Sequence, residues 1–217
     1  MSCPHTEQEV AAYLDGELDL TSALAFERHL EECPDCARAL AAQRALREAI
    51  AAADLRFRPA PDLARWLTRG DQDAEDVLQT ACLRALQFFD SFQGANARAW
   101  LLAIVRNSFY DWLGQRRRGA EVDAPFDEEV HAAEDGAADP EAELLRRADG
   151  RLLRLGFEAL PLPLREVIVL RELEGLSYKE IAAIAALPIG TVMSRLSRAR
   201  RQLQEFLIAH GVKEGRP

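Results

Sequence analysis

The densest chemistry in this 217-residue chain lies in its first 36 residues, where Cys3 is followed by His29, Cys33 and Cys36, the last three written HLEECPDC. Thiolate and imidazole are the donors that hold zinc in a closed tetrahedron. A Cys-x2-Cys pair bites one ion because two intervening residues let the chain fold back over it. A helix through Ser22 to Glu32 would put His29 one turn before Cys33, on the same side. Pro34 suits the first position of a following helix, and the residue before a proline is driven out of helical geometry, so Cys33 should stand at a corner facing inward. These residues predict one zinc ion. His29, Cys33 and Cys36 supply three ligands and Cys3 the fourth, with His5 near enough to compete for that place. Cys33 and Cys36 are also close enough for a disulfide that would expel the metal, so the site is structural or redox-sensitive. The plainer alternative is that these thiols are small buried hydrophobes.

A second constellation occupies residues 160 to 203. Ile181, Ala182, Ile184 and Ala185 give one helix an apolar face, and Leu187-Pro188-Ile189-Gly190 breaks the chain. Thr191 is suited to cap a second helix whose core side is Val192, Leu196, Ala199 and Leu203. Arg195, Arg198, Arg200 and Arg201 would then form an exposed basic face without an acidic residue, the outline of a DNA-reading helix-turn-helix. Two antiparallel helices with a solvated basic face would read the same way.

The elements that hold these sites are expected to be helices. Between residues 73 and 118, Val77, Leu78, Ala81, Cys82, Ala85 and Leu86 recur at helical spacing, as do Trp100, Leu101, Ile104, Val105 and Phe109. The loop Asp90 to Arg98 joins the two. The fold class is therefore all-α. With 48% apolar and 29% charged residues, the chain can hold two or three small globular domains. Its net charge of -9 looks wrong for a protein that grips DNA unaided, but the charge is uneven: residues 119 to 143 carry ten Asp or Glu and no Lys or Arg. No stretch reaches the length of a membrane helix and no secretion signal opens the chain, so a cytoplasmic protein without membrane contact is expected. Four cysteines are too few for a disulfide scaffold. No nucleophile and base stand at catalytic spacing and no glycine-rich phosphate loop occurs, so the chain is not expected to be an enzyme.

The segment CPHTEQEVAAYLDGELDLTSALAFERHLEECPDCARAL resembles the zinc-binding anti-sigma domain of bacteria, and that family's spacing implies Cys3, ten residues before Tyr13, as the fourth ligand. The order AEDVLQ, RAWLLAIVRN, a basic run, an acidic linker and GLSYKEIA followed by LPIGTVMSRLSRAR resembles an extracytoplasmic-function sigma factor of the sigma-70 family. The resemblance implies a zinc-binding helical domain at 1–50, a tether at 51–62, a region 2-like helical domain at 63–118, the acidic linker at 119–143 and a region 4-like helix-turn-helix domain at 144–217. It implies core polymerase contacts at Asp76, Val77 and Gln79. Asn107 would read an unstacked base of the upstream -10 element, while Arg106, Arg116, Arg117 and Arg118 hold phosphates. Trp100 is assigned to packing. Lys179, Thr191, Ser194, Arg195 and Arg198 would read and clamp the -35 element, with Arg201 on phosphate. Met193 stands where the family commonly has a basic residue, and only Ala64 to Arg69 remain of the helix that ordinarily precedes AEDVLQ. The expected function is a sigma factor that binds core RNA polymerase and bipartite promoter DNA, restrained by its own zinc module. The alternatives are an anti-sigma or decoy protein that binds another sigma factor, and a stand-alone helix-turn-helix regulator.

Overall fold

Local signals set most helix boundaries. In the computed structural model, residues 3, 6–52, 62–92, 96–120 and 140–210 are described, with the backbone alone at 52, 62, 91, 119–120 and 140–149. Every described element is a helix. Helix α1 (Glu7–Leu14) opens on a reciprocal cap in which Thr6 Oγ1 accepts from the Glu9 N–H and Glu9 Oε2 accepts from the Thr6 N–H at 2.7 Å. Asp19 caps α2 (Leu20–Glu32) by accepting from the Ser22 N–H at 3.0 Å. The helix thus begins two residues before the expected Ser22. Cys33 leaves helical geometry at φ -116°, ψ 100°, and Pro34 opens α3 (Pro34–Ala52). These three helices enclose Val10, Phe26, Cys36 and Leu40. So small an apolar centre falls well short of what an independent domain needs.

The middle module comprises α4 (Asp62–Thr68), α5 (Asp71–Gln87), a 3-10 turn (Phe89–Ser91) and α6 (Ala97–Ala120). Helix α4 is a wedge: Leu63, Ala64, Trp66 and Leu67 are all buried between the α5–α6 pair and the C-terminal module. From α5 come Ala74, Val77 and Ala81; from α6 come Leu102, Val105 and Phe109. Cys82 and Leu86, expected in this core, are exposed, Leu86 at 76%. Each lies one residue past the Val77–Ala81–Ala85 stripe, and one residue is about 100° of rotation.

The C-terminal module contains α7 (Pro140–Ala159), α8 (Leu162–Ile168), a π-helical turn (Val169–Leu173), α9 (Tyr178–Ala185) and α10 (Ile189–Ala209). Ser177 and Glu180 form a second reciprocal cap at the start of α9, and Ala186 closes it in the left-handed region at φ 53°. Pro188, not Thr191, is the N-cap of α10; its extended backbone already sets the entry, and Thr191 is the third helical residue. A Cβ at Gly156 on α7 would lie 2.5 Å from Leu203 Cδ1 and 3.1 Å from Phe206 Cδ1. Leu203 is fully buried and cannot swing away. Gly156→Ala is therefore expected to cost about 1–3 kcal/mol, read from a thermal melt.

The modules share one core. Ala12, Leu46 and Ile50 of the first join the buried cluster of the other two. Buried Arg165 on α8 donates to the Trp66 and Leu160 carbonyls, both at 3.0 Å, satisfying the last turns of α4 and α7. Burial draws its pKa down to about 10, which leaves it charged at neutral pH. Residues 53–61 of the expected tether and 121–139 of the expected acidic linker lie outside the described residues. Among the described residues, no single helix is long and apolar enough to cross a membrane.

Candidate functional site

The corner at Cys33 brings the expected ligands together. Cys3 Sγ lies 3.2 Å from His29 Nε2, 3.3 Å from Cys36 Sγ and 3.8 Å from Cys33 Sγ, and all four donor atoms fall within 4.8 Å of one another. A tetrahedron with bonds of about 2.3 Å needs sulfurs roughly 3.8 Å apart, so the donor set fits zinc. The N–H of Cys36 points at Cys33 and holds its thiol below the ordinary value, while burial pushes Cys36 up to about 12. Three sulfurs this close ionise together only around a cation. His5, the competing ligand, lies outside the described residues.

A second cluster was not anticipated from the sequence. The carboxylate of Asp15, in the turn after α1, is completely buried against Arg47 of α3, Arg171 of the π-helical turn and Arg200 of α10, and it accepts from the Tyr178 hydroxyl. Arg200 also bonds Glu172 at 2.6 Å, and Arg47 approaches Glu172 at 3.5 Å. Glu17 accepts from the Tyr178 N–H at 3.0 Å and lies 3.5 Å from Arg171. Three carboxylates thus balance three guanidiniums across the seam between the first and last modules. Arg200, expected on an exposed basic face, is only 2% exposed. Its position in α10 follows Leu196 by four residues, so it shares the buried stripe. The π-helical turn, a rare form frequent at functional sites, carries Arg171 and Glu172 into this seam together.

The remaining DNA-facing candidates occupy two surfaces. On α9 and α10, Lys179, Arg198 and Arg201 are exposed, and Thr191, Ser194 and Arg195 are partly so. Arg201 lies 3.4 Å from Glu7 of α1. On α6, Asn107 is exposed, whereas Arg106 forms an ion pair with the buried Glu166 and covers the Tyr110 ring. Tyr110 donates to Glu166 at 2.9 Å, and burial pushes its hydroxyl up to about 12. Arg116 is held by Asp73 at 2.7 and 2.8 Å, Arg118 donates to the Gly114 carbonyl, and Arg117 is exposed. Half-buried Trp100 packs on Phe92, ring centroids 5.2 Å apart.

On α5, Asp76 and Gln79 face solvent, but Val77 is 1% exposed and packs in the core, so its side chain is not a surface contact. Its place is set by the Ala74–Val77–Ala81 spacing. Leu83 and Leu86 toward the end of α5, Phe88 at its C-cap and Phe89 in the following 3-10 turn are exposed apolar residues, of which periodicity assigns Leu86 to the core. The Ser177–Glu180 cap positions α9; Ser177→Ala is expected to lower stability by about 1 kcal/mol in urea unfolding, with the metal content unchanged.

A helix-turn-helix module packed on an α-helical module with an exposed acidic and amide-bearing helix, both adjoining a helical module whose donor set fits zinc, is an arrangement suited to a DNA-binding transcription initiation factor, and the relatives of this chain are of that class. Residues 61–119 match the family model for sigma-70 region 2, residues 151–203 that for sigma-70 region 4, and residues 3–37 that for a putative zinc-finger. The chain is 39% identical over 150 residues to the ECF RNA polymerase sigma-E factor of Escherichia coli, covering 65% of this chain and 76% of that one. It is 35% identical over 151 residues to the ECF RNA polymerase sigma factor SigE of Mycolicibacterium smegmatis, covering 68% of this chain and 57% of that one. A chain in the co-crystal structure of the sigma factor RpoE with the anti-sigma factor NepR from Bartonella quintana is similar over 85% of this chain and 97% of its own, at 31% identity and a TM-score of 0.55. The chain belongs to the ECF sigma factor family. It carries in addition a zinc-finger-like module that suggests an anti-sigma domain.

Proposed function

We propose that this chain directs core RNA polymerase to bipartite promoters, and that its own zinc module at residues 1–50 keeps it closed until that module is displaced. The observation that supports closure most directly is Asp15, a residue of the zinc module buried among Arg171, Arg200 and Tyr178 of region 4. One zinc ion is held by Cys3, His29, Cys33 and Cys36. Asp76 and Gln79 meet core polymerase, with the apolar stretch from Leu83 to Phe89 beside them. Asn107 reads a base of the -10 element. Arg106, Arg116, Arg117 and Arg118 hold phosphates. Lys179, Thr191, Ser194, Arg195 and Arg198 read and clamp the -35 element, with Arg201 on the backbone.

A tether at 51–62 keeps the module at an effective concentration of roughly the millimolar range, so a modest seam suffices for closure. The seam also occupies surface that open, extended region 4 would present to promoter DNA: Glu7 sits on Ser197 and Arg201 of α10.

Run-off transcription with purified core enzyme tests the reading. Full-length protein is expected to be weakly active, and a form beginning at Pro61 more active at equal concentration. Equal activity of the two removes the inhibitory role. A pull-down that returns a free sigma factor in place of core polymerase removes the initiation role and favours a decoy. At the -35 surface, Arg195→Ala is expected to cost about 1–3 kcal/mol on the specific duplex and Arg201→Ala to weaken all duplexes alike, measured by anisotropy. Equal losses for Arg195→Ala on specific and random DNA would reassign it to phosphate.

A further inference from the structure

Closure in this molecule is not confined to the zinc module. Region 4 also reaches back onto region 2, and along α6 it does so with three carboxylates. Glu166 of α8 takes Arg106, Glu174 takes Arg98 at 2.5 Å, and Glu180 of α9 takes the Asn96 side-chain amide at 2.5 Å. The three region 2 groups lie along the first part of α6 and the residue that precedes it. Asn96 has no freedom in what it offers. Its Oδ1 accepts from the Ala99 N–H at 3.0 Å, which fixes the side chain and leaves only Nδ2 to face outward as a donor. Arg98 and Arg106 are donors by nature. A row that presents donors alone, two of them guanidiniums, is best matched by anions. Arg98 to Arg106 spans about 12 Å of helix, enough for more than one charged group.

We infer that Asn96, Arg98 and Arg106 form an anion track with two alternative occupants: backbone phosphates of promoter DNA in the open protein, and the region 4 carboxylates Glu180, Glu174 and Glu166 in the closed one. The inference rests on the sigma-factor reading for the identity of the anion. It adds Asn96 and Arg98 to the DNA-binding residues, and it gives region 4 an inhibitory role toward region 2 that does not pass through the zinc module. The closed occupant is not optimised for permanence. Glu174 is buried, yet its Oε1 has no hydrogen-bond partner among the described residues, and an orphaned buried oxygen disfavours the state that buries it. Arg98, by contrast, remains 59% exposed on its side chain, open to an incoming strand.

The two ends of each pair must respond differently, which a purely structural contact would not produce. The test uses the full-length, metal-loaded protein and a short labelled single-stranded DNA of random sequence, with anisotropy followed over a salt series. Glu174→Gln removes the competitor and keeps the track; its apparent affinity is expected to rise roughly threefold or more, with the salt slope unchanged. Glu166→Gln is expected to act in the same direction, and Glu174→Gln carries the test should that more deeply buried variant fail to fold. Arg98→Gln removes a phosphate contact and is expected to lower the salt slope by about 0.7. If Glu174→Gln leaves affinity unchanged or weakens it, or if Arg98→Gln keeps the full slope, the shared track is wrong. The absence of binding by every form at low salt overturns it as well. Failure of the sigma reading is separable: run-off activity with no response in the acid variants discards only this inference, whereas the expected oligonucleotide behaviour without run-off keeps the track and discards the promoter.

Discussion

Chelation in the presence of reductant is expected to melt residues 3–52 while residues 151–203 stay folded, and to raise run-off transcription at the same time. Ligand geometry and core size together set the scale. A structural zinc in a small module contributes on the order of 10 kcal/mol to folding, far more than the few buried side chains around Phe26 can supply. Hydrogen exchange with mass spectrometry reads the result: amides of α1 to α3 lose protection, and those of α9 and α10 keep it. Metal analysis after reconstitution should return one zinc per chain, and less than half an equivalent would count against the site. Protection of α1 to α3 that survives metal removal would show the ion to be dispensable for the fold.

Asp15→Asn is expected to make the protein less stable and more active. The change is isosteric but removes the charge shared by three guanidiniums, and Arg200, with only 3% of its side chain exposed, cannot recover it from water. Breaking a buried pair in this way costs about 3–5 kcal/mol. Part of that cost can be relieved by parting the module from region 4, which is why activity should move opposite to stability. Glu7→Gln is the matched control. Its partner Arg201 is half exposed at 3.4 Å, so the change should stay within about 1 kcal/mol. Urea unfolding with metal content verified, beside run-off activity, separates the two substitutions. An Asp15→Asn protein that is as stable and as inactive as the parent would remove Asp15 as the latch.

The parts legible in the sequence were those encoded locally. The corner at Cys33 follows from one proline, and helix periods in α5, α6, α9 and α10 follow from apolar spacing. Family resemblance then supplied the region 2 and region 4 assignments. What periodicity could not supply was which neighbour covers a face. Arg200 reads as exposed in a basic run, and the approach of Asp15, from far earlier in the chain, together with Glu172 makes its burial tolerable. The charge of Arg106 points to phosphate, and Glu166 of α8 claims it in the closed form, where region 4 packs on α6 through α9. Leu86 errs the other way: an apolar residue within a helix was given to the core, and its face turns outward beside Asp76 and Gln79. The carboxylates of YLDGEL were in plain view, but most of their partners, Arg171, Tyr178 and Arg200, lie more than 150 residues downstream.

That separation along the chain has a consequence for synthesis. Asp15 and Arg47 leave the ribosome first, and Arg171 and Arg200 near the end, on the order of ten seconds later at ordinary elongation rates. The metal-binding module can therefore capture its ion and fold while region 4 is still being translated. On the proposed function, each newly made copy would meet its restraint, in fixed one-to-one proportion, as the recognition helix emerges. A separately encoded inhibitor would have to be matched in dose and found by diffusion. With the restraint proposed above, the protein would be born closed, and the cell would have no interval of unrestrained activity to suppress.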